Sequence, residues 1–455
     1  MKGRKLAVLL CMAALCCACG VRSKGEEGAG REEAVIKQET ESSRKPDALT
    51  ESEESLPVSY DGRKENRAPV PRSQGSLKTC WAFASLQALE ASLRPKESLI
   101  FSADHMSRNN GFGGSQESGG EYTMSMAYLL SWRGPVLEAD DPYGDGISPE
   151  GLTAVKHVKE IQIVPARDYD KIKRAVLEYG GVQSSLYTSM SDGHSYSQYY
   201  NPAASAYCYI GSKQPNHEAV IIGWDDQFSK ENFPVEVNGD GAFLCTSSWG
   251  EEFGEQGCFY VSYYDSNIGM NNIVYTRTEN PKPSEHIYQS DLRGWVGQIG
   301  YGADTVWICN VFTAAGNEEL REAGFYATGS YTSYEIYVVT EPGTEEEIEE
   351  GNGLQGRRLA GCGSFSYAGY YTVSLDTGDS EDLRLSEGCR FAIVVRLTTP
   401  ETIHPAAIEY DAKDGRTQVN LEDGEGYVSR DGRDWERTEK NQHCNLCLKA
   451  YTIDR

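Results

Sequence analysis

Basic residues are in deficit and histidine is scarce. The chain sets 43 Lys and Arg against 68 Asp and Glu, for a formal net charge of -25, and holds 7 histidines in 455 residues. A field of that sign repels phosphate backbones, so nucleic acid is excluded as a natural partner. It offers no basic face to anionic lipid, so any membrane attachment must have another cause. Long apolar runs are also missing. The one near the start, Leu6 to Leu15, follows Lys2, Arg4 and Lys5 and is too short to stop in a bilayer, so it reads as a secretory signal over residues 1-19. Residues 20-56 contain no aromatic side chain but 10 acidic and 6 basic ones. Such a segment buries too little to fold and reads as a tether, with an average reach of roughly 35 Å.

What is present is enough for packed cores: 39% hydrophobic and 10% aromatic residues, with a length that suits two or three domains. There are 13 cysteines. Three leave with the signal and Cys19 stands at its end, so nine remain, an odd set that leaves at least one free thiol in an exported protein. Cys80 stands out. Residues 71-84 read PRSQGSLKTCWAFA, with Gln74-Gly75 as a turn and Thr79 as a candidate N-cap. Phe83, Leu86, Leu89 and Leu93 then fall at helical spacing until Pro95, which predicts a helix from Cys80 to about Arg94. A thiol in the first turn of a helix sits where unpaired N–H groups and the dipole favour a thiolate.

The run from Gln74 to Phe83 resembles the papain-like cysteine peptidases. Leu77 stands where that family usually has a cysteine, so the corresponding disulfide is missing. The resemblance implies a histidine opening an apolar strand about 130–150 residues downstream, a spacing for which papain is the type case. His217 lies 137 residues after Cys80, ahead of Glu218, Ala219, Val220, Ile221 and Ile222. The family's His-Ala pattern is interrupted there by Glu218. The third family element, Asn-Ser-Trp-Gly, reads Ser247, Ser248, Trp249, Gly250, so Ser247 replaces the asparagine that orients the histidine. Its shorter side chain is expected to hold the ring more loosely or through water. Gln74 would supply an oxyanion donor, Trp249 would shield the histidine, and Gly119-Gly120 would pair with an extended substrate backbone. The Asp141-Pro142-Tyr143 string reads as structural.

The expected fold class is α+β. A two-lobe papain-like domain over 57-282, one lobe helical and one β-rich with the site between, is followed by an all-β sandwich over 283-455. Short runs at Thr305 to Phe312, Leu320 to Ala327, Tyr334 to Thr340, Tyr370 to Ser374, Arg390 to Leu397 and Cys447 to Ile453 carry the sandwich reading. With Gly297 to Tyr301 and Ala323 to Tyr326, this part resembles the lectin-like domain behind papain-like heads in some Gram-positive lipoproteins. Cys19 would then be lipidated, holding the protein on the outer side of a bacterial membrane; the alternative is an ordinary cleaved signal and a secreted protein. The implied activity is thiol-dependent endopeptidase chemistry through a Cys80–His217 thiolate–imidazolium pair, with no cofactor and no metal. The implied partners are peptide or protein substrates; for the sandwich, a carbohydrate or cell-wall ligand and a plain spacer or docking role stay open alike. The competing reading is an inactive papain fold used for surface binding. Cys444-Asn-Leu-Cys447 is a lone CxxC and carries little weight, Cys245 and Cys258 on neighbouring strands could pair or stay reduced, and the acidic run Glu345 to Glu350 reads as a solvated loop.

Overall fold

The computed structural model describes residues 7-9 and 55-455. The tether up to residue 54, Cys19 and the rest of the expected signal lie outside the described residues. Ala7–Leu9 forms a short strand against Gly297–Gly300. No described helix is long and apolar enough to cross a membrane.

The first unit is built around the helix Cys80–Leu93. Its residues from Trp81 to Ala91 are all buried, including Ser85, Gln87 and Glu90. The helix therefore runs through the core rather than along its surface, which the apolar stripe alone did not reveal. Alanines at 82, 84, 88 and 91 let neighbours approach closely: the helices Ala103–Asn109 and Tyr122–Leu130 on one side, the strands His217–Asp225 and Asn272–Glu279 on the other. Glu90 is kept in this core by Arg72, whose guanidinium lies 2.7 Å from its carboxylate, and by the Phe101 N–H. Thr79 occupies the N-cap position but makes no capping bond; its hydroxyl turns to the Tyr143 hydroxyl at 2.6 Å instead.

The second lobe is a sheet in which Val182–Leu186, His217–Asp225, Ala242–Thr246 and Cys258–Ser262 pair antiparallel in that order. Its far face is covered by the helix Tyr169–Tyr179, whose Ile172, Ala175 and Val176 pack with Val182, Ile221 and Val274.

The C-terminal unit is a sandwich. A six-stranded sheet centred on Arg390–Thr398, Thr305–Thr313 and Thr332–Thr340 turns Ile308, Ile336, Ile393 and Val395 inward. These meet Leu320, Phe325, Tyr371 and Leu448 from the facing strands. That facing layer is not separate from the first unit. Ala368–Ser374 pairs antiparallel with His157–Val164, so one sheet of 14 strands runs through both units. At the seam Gly369 has φ +145, and a Cβ there would sit 2.1 Å from the Ile161 carbonyl, so only glycine admits the pairing. Beside it the fully buried Lys159 ammonium lies 2.7 Å from Glu285 and 3.1 Å from Glu322. It also stands 4.0 Å from the Tyr451 ring centroid.

One expectation needs correction here, and one open alternative is resolved. Glu345–Glu349 is a short helix, not a loop: Thr344 and Glu347 form a capping box, and Ile348 is buried between strands. None of the nine cysteines from Cys80 to Cys447 forms a disulfide, and Cys245 and Cys258 are both free. They are offset by one residue in the ladder, where Cys245 faces Phe259 and Thr246 faces Cys258.

Candidate active site

Cys80 opens the central helix and is half-buried. The loop before it is propped from below. Tyr143 packs edge-on against Phe83 at 4.8 Å, and its hydroxyl donates to the Gln74 carbonyl at 2.9 Å. The Asp141-Pro142-Tyr143 string thus has the structural role expected of it, with a visible purpose: it supports the turn that carries Gln74. The Gln74 N–H donates to the Ser248 carbonyl at 2.8 Å, and its side-chain oxygen accepts from the Ser248 hydroxyl at 2.5 Å. One side-chain N–H goes to the Leu77 carbonyl at 2.5 Å. The amide has a second N–H to offer.

His217 begins its strand opposite Leu186, at the end nearest the helix. Its ring lies flat on Trp249, 4.4 Å between centroids and 9° between planes. Its Nε2 is 2.8 Å from the Ser247 hydroxyl. The looseness expected of serine is not what the backbone delivers: Ser247 sits close enough for a direct bond. With Nε2 so engaged, Nδ1 is the free ring nitrogen. The Glu218 N–H, one residue on, lies near enough to the Cys80 thiol to favour its anion, which brings the start of this strand near the start of the helix. Cys80, His217, Ser247, Trp249 and Gln74 thus share one locality.

Gly119 and Gly120 lie on the helical side of the same region. Gly119 has φ +73, and a Cβ on Gly120 would fall 2.5 Å from the Trp81 ring, so both positions require glycine. This loop is held from two directions. The Lys78 N–H donates to the Gln116 carbonyl at 3.1 Å. From the sandwich, Arg416 donates to the carbonyls of Ser118 at 2.5 Å and Gly119 at 3.5 Å.

The electrostatics differ from the sequence expectation. Burial pushes the Cys80 thiol up to about 12, with the Glu218 carboxylate adding to it and the N–H groups of Glu218, Trp81 and Cys80 opposing it. Burial pushes His217 down to about 3. Taken singly, each group is held neutral, so burial opposes a preformed thiolate–imidazolium pair. Helix position was legible in the sequence; the depth of the site and the adjacent carboxylate were not. Glu218 was visible only as an acidic residue after the histidine. Arg416 gave no signal, being 297 residues from Gly119. Cys444 and Cys447 are buried in different cores, and no cluster of metal-binding side chains occurs among the described residues.

Comparison with known proteins bears on both units. Residues 56–278 match the papain family cysteine protease domain, and residues 287–452 match the lectin like domain. The chain carries a papain-family cysteine protease domain followed by a lectin-like domain. Over 88% of its length it superposes on all of the clostridial cysteine protease Cwp84 after propeptide cleavage, at 26% identity and a TM-score of 0.76. It covers 90% of the cysteine protease and lectin-like domains of Cwp84, a surface layer associated protein of Clostridium difficile, at 25% identity and the same TM-score. Bovine cathepsin S is 24% identical over 225 residues, which is 47% of this chain and 62% of cathepsin S.

Proposed function

We propose that this chain is an exported cysteine endopeptidase whose reaction runs through Cys80 and His217. The observation that carries the reading is the convergence of the helix start and the strand start: the Glu218 N–H lies near the Cys80 thiol while the neighbouring imidazole is fixed by Trp249 and Ser247. Cys80 Sγ attacks the substrate carbonyl carbon as its proton passes to His217 Nδ1. The developing oxyanion is met by the Cys80 N–H and the free N–H of the Gln74 amide. The imidazolium then gives its proton to the departing amine as the C–N bond breaks, leaving a thioester on Cys80. Water attacks that thioester with His217 as base, and the Cys80 sulfur leaves. Ser247 acts by accepting from Nε2–H, which fixes the tautomer that presents Nδ1 as the base. Gly119 and Gly120 offer the extended edge on which the substrate backbone pairs.

The remaining expectations form the setting of this reading: export by residues 1-19, lipid attachment at Cys19, a tether over 20-56, a domain division at 282/283, and a carbohydrate or cell-wall ligand for the sandwich. A second reading, a weakened or inactive fold used for binding, is favoured by one observation: burial holds both thiol and imidazole neutral. Mass spectrometry of a denatured protein incubated with the chain separates the two. The peptidase reading expects internal cleavages that vanish with Cys80→Ala and with His217→Ala. The binding reading expects none, or cleavages that survive both changes.

A further inference from the structure

The residue that breaks the family pattern faces the cleft. Glu218 follows His217 in the strand, and its side chain lies on the helical side of the sheet. Gln183 donates to its Oε2, and Gln183 is itself fixed by the Ser85 hydroxyl at 3.0 Å. Four other groups sense its charge or add to it. Cys80 at the head of the central helix is one. Glu121 and Tyr122, directly after Gly120, are two more, and Tyr275 on the adjoining strand is the fourth. No lysine, arginine or histidine pairs with Glu218 among the described residues, and Oε1 has no hydrogen bond there. Two carboxyl groups therefore lie near the place where substrate backbone would meet Gly120, with Tyr122 near both, and neither forms an ion pair among the described residues, Arg416 being engaged by the Ser118 and Gly119 carbonyls. Burial, with Glu121 adding to it, pushes the Glu218 carboxyl up to about 8, so without a counter-ion it rests mostly protonated near neutral pH, and where it ionises it opposes ionisation of the sulfur beside it. A cation delivered by the substrate offsets both effects at once.

This inference rests on the peptidase reading above. We propose that Glu218, assisted by Glu121, makes the cleft selective for peptides with a lysine or arginine next to the scissile bond, at the residue that pairs with the Gly119-Gly120 edge. The Oε1 of Glu218 receives the ammonium or guanidinium, and the aromatic wall of Tyr122 packs on its methylene stem. Because the cation neutralises the carboxylate beside Cys80, its contribution is felt in the chemical step as well as in binding. Peptides with glutamate at that position are rejected by like charge.

The test is a set of capped peptides in which lysine, arginine, glutamine, leucine or glutamate is placed in turn at each residue near the cleavage point. kcat/KM is measured for each with the wild-type chain, Glu218→Gln and Glu121→Gln. The expected result is one position at which lysine or arginine exceeds glutamine and leucine by roughly tenfold or more in the wild type. Glu218→Gln should bring that ratio to about one while raising turnover of the neutral peptides, and Glu121→Gln should lower it by about two- to threefold. A wild-type preference for neutral or acidic side chains at every position would overturn the proposal. So would a lysine preference that survives Glu218→Gln. If no peptide of any composition is cleaved, the peptidase reading fails first and the selectivity falls with it. The wild-type series stands on its own should Glu218→Gln not fold.

Discussion

The cleft and the sandwich use the same residue types to different ends. Cys80 is half-buried at a helix start, where the Glu218 carboxylate and the N–H groups of Glu218, Trp81 and Cys80 act on its thiol. Cys444, in a strand, and Cys447, at the break that follows it, are both buried among apolar side chains. Among the described residues Glu218 has one amide partner and no counter-ion, whereas Glu285 and Glu322 share Lys159 at the seam. The difference teaches where chemistry is to be sought. Cys80 and Glu218 lie where the two lobes meet, whereas Glu285 and Glu322 at the seam share one cation and help hold the structure together.

The sharpest way to break this contrast is at the histidine. His217→Ala should reduce peptide hydrolysis by about 10⁴-fold or more while leaving the thermal transition within a few degrees, as checked by peptide turnover and calorimetry. At the seam the opposite is expected. Lys159→Met leaves Glu285 and Glu322 without their shared cation and should cost about 3–5 kcal/mol of stability, read by denaturant unfolding, with active-site labelling of the folded fraction preserved. A stability loss at His217 as large as that at Lys159 would erase the distinction.

Three smaller effects sharpen it within the cleft. Ser247→Ala removes the bond to Nε2 and should lower kcat by about tenfold, with little change in KM. Cys80 alkylation by iodoacetamide should rise with pH rather than stay high in acid, because burial and Glu218 hold the thiol up. Glu218→Gln removes the negative charge that disfavours the thiolate, so the alkylation profile should move to lower pH; a move to higher pH would show the sign to be wrong. The smallest effect is expected at Arg416, which grips Ser118 and Gly119 from the sandwich. Arg416→Ala should raise KM by about two- to fivefold with kcat nearly constant, since a freed loop pairs less well with substrate but leaves the thiol where it is.

Much of this was legible in the chain. The helix after Cys80, the strand at His217 and six sandwich strands follow from periodicity and turn residues, because those patterns are short-range. Depth is not short-range. Polar Ser85, Gln87 and Glu90 gave no sign that the central helix is buried on every side, because the partners that satisfy them, such as Gln183 and Arg72, lie elsewhere in the sequence. The seam was equally hidden. Strand His157–Val164 carries lysine and glutamate among its apolar residues, and its meaning appears only when Ala368–Ser374 is laid beside it. At the site, residue identities came from motif spacing, whereas the charge environment needed the third dimension.

The most direct measurement is the covalent intermediate itself. The wild-type chain is mixed with a cleavable peptide ester, quenched in acid within the first turnover and digested, and the Cys80-containing fragment is weighed. The account expects that fragment to carry the acyl half of the substrate, and to carry none in His217→Ala. Rapid hydrolysis with Cys80 never acylated, or acylation at another cysteine, would contradict it.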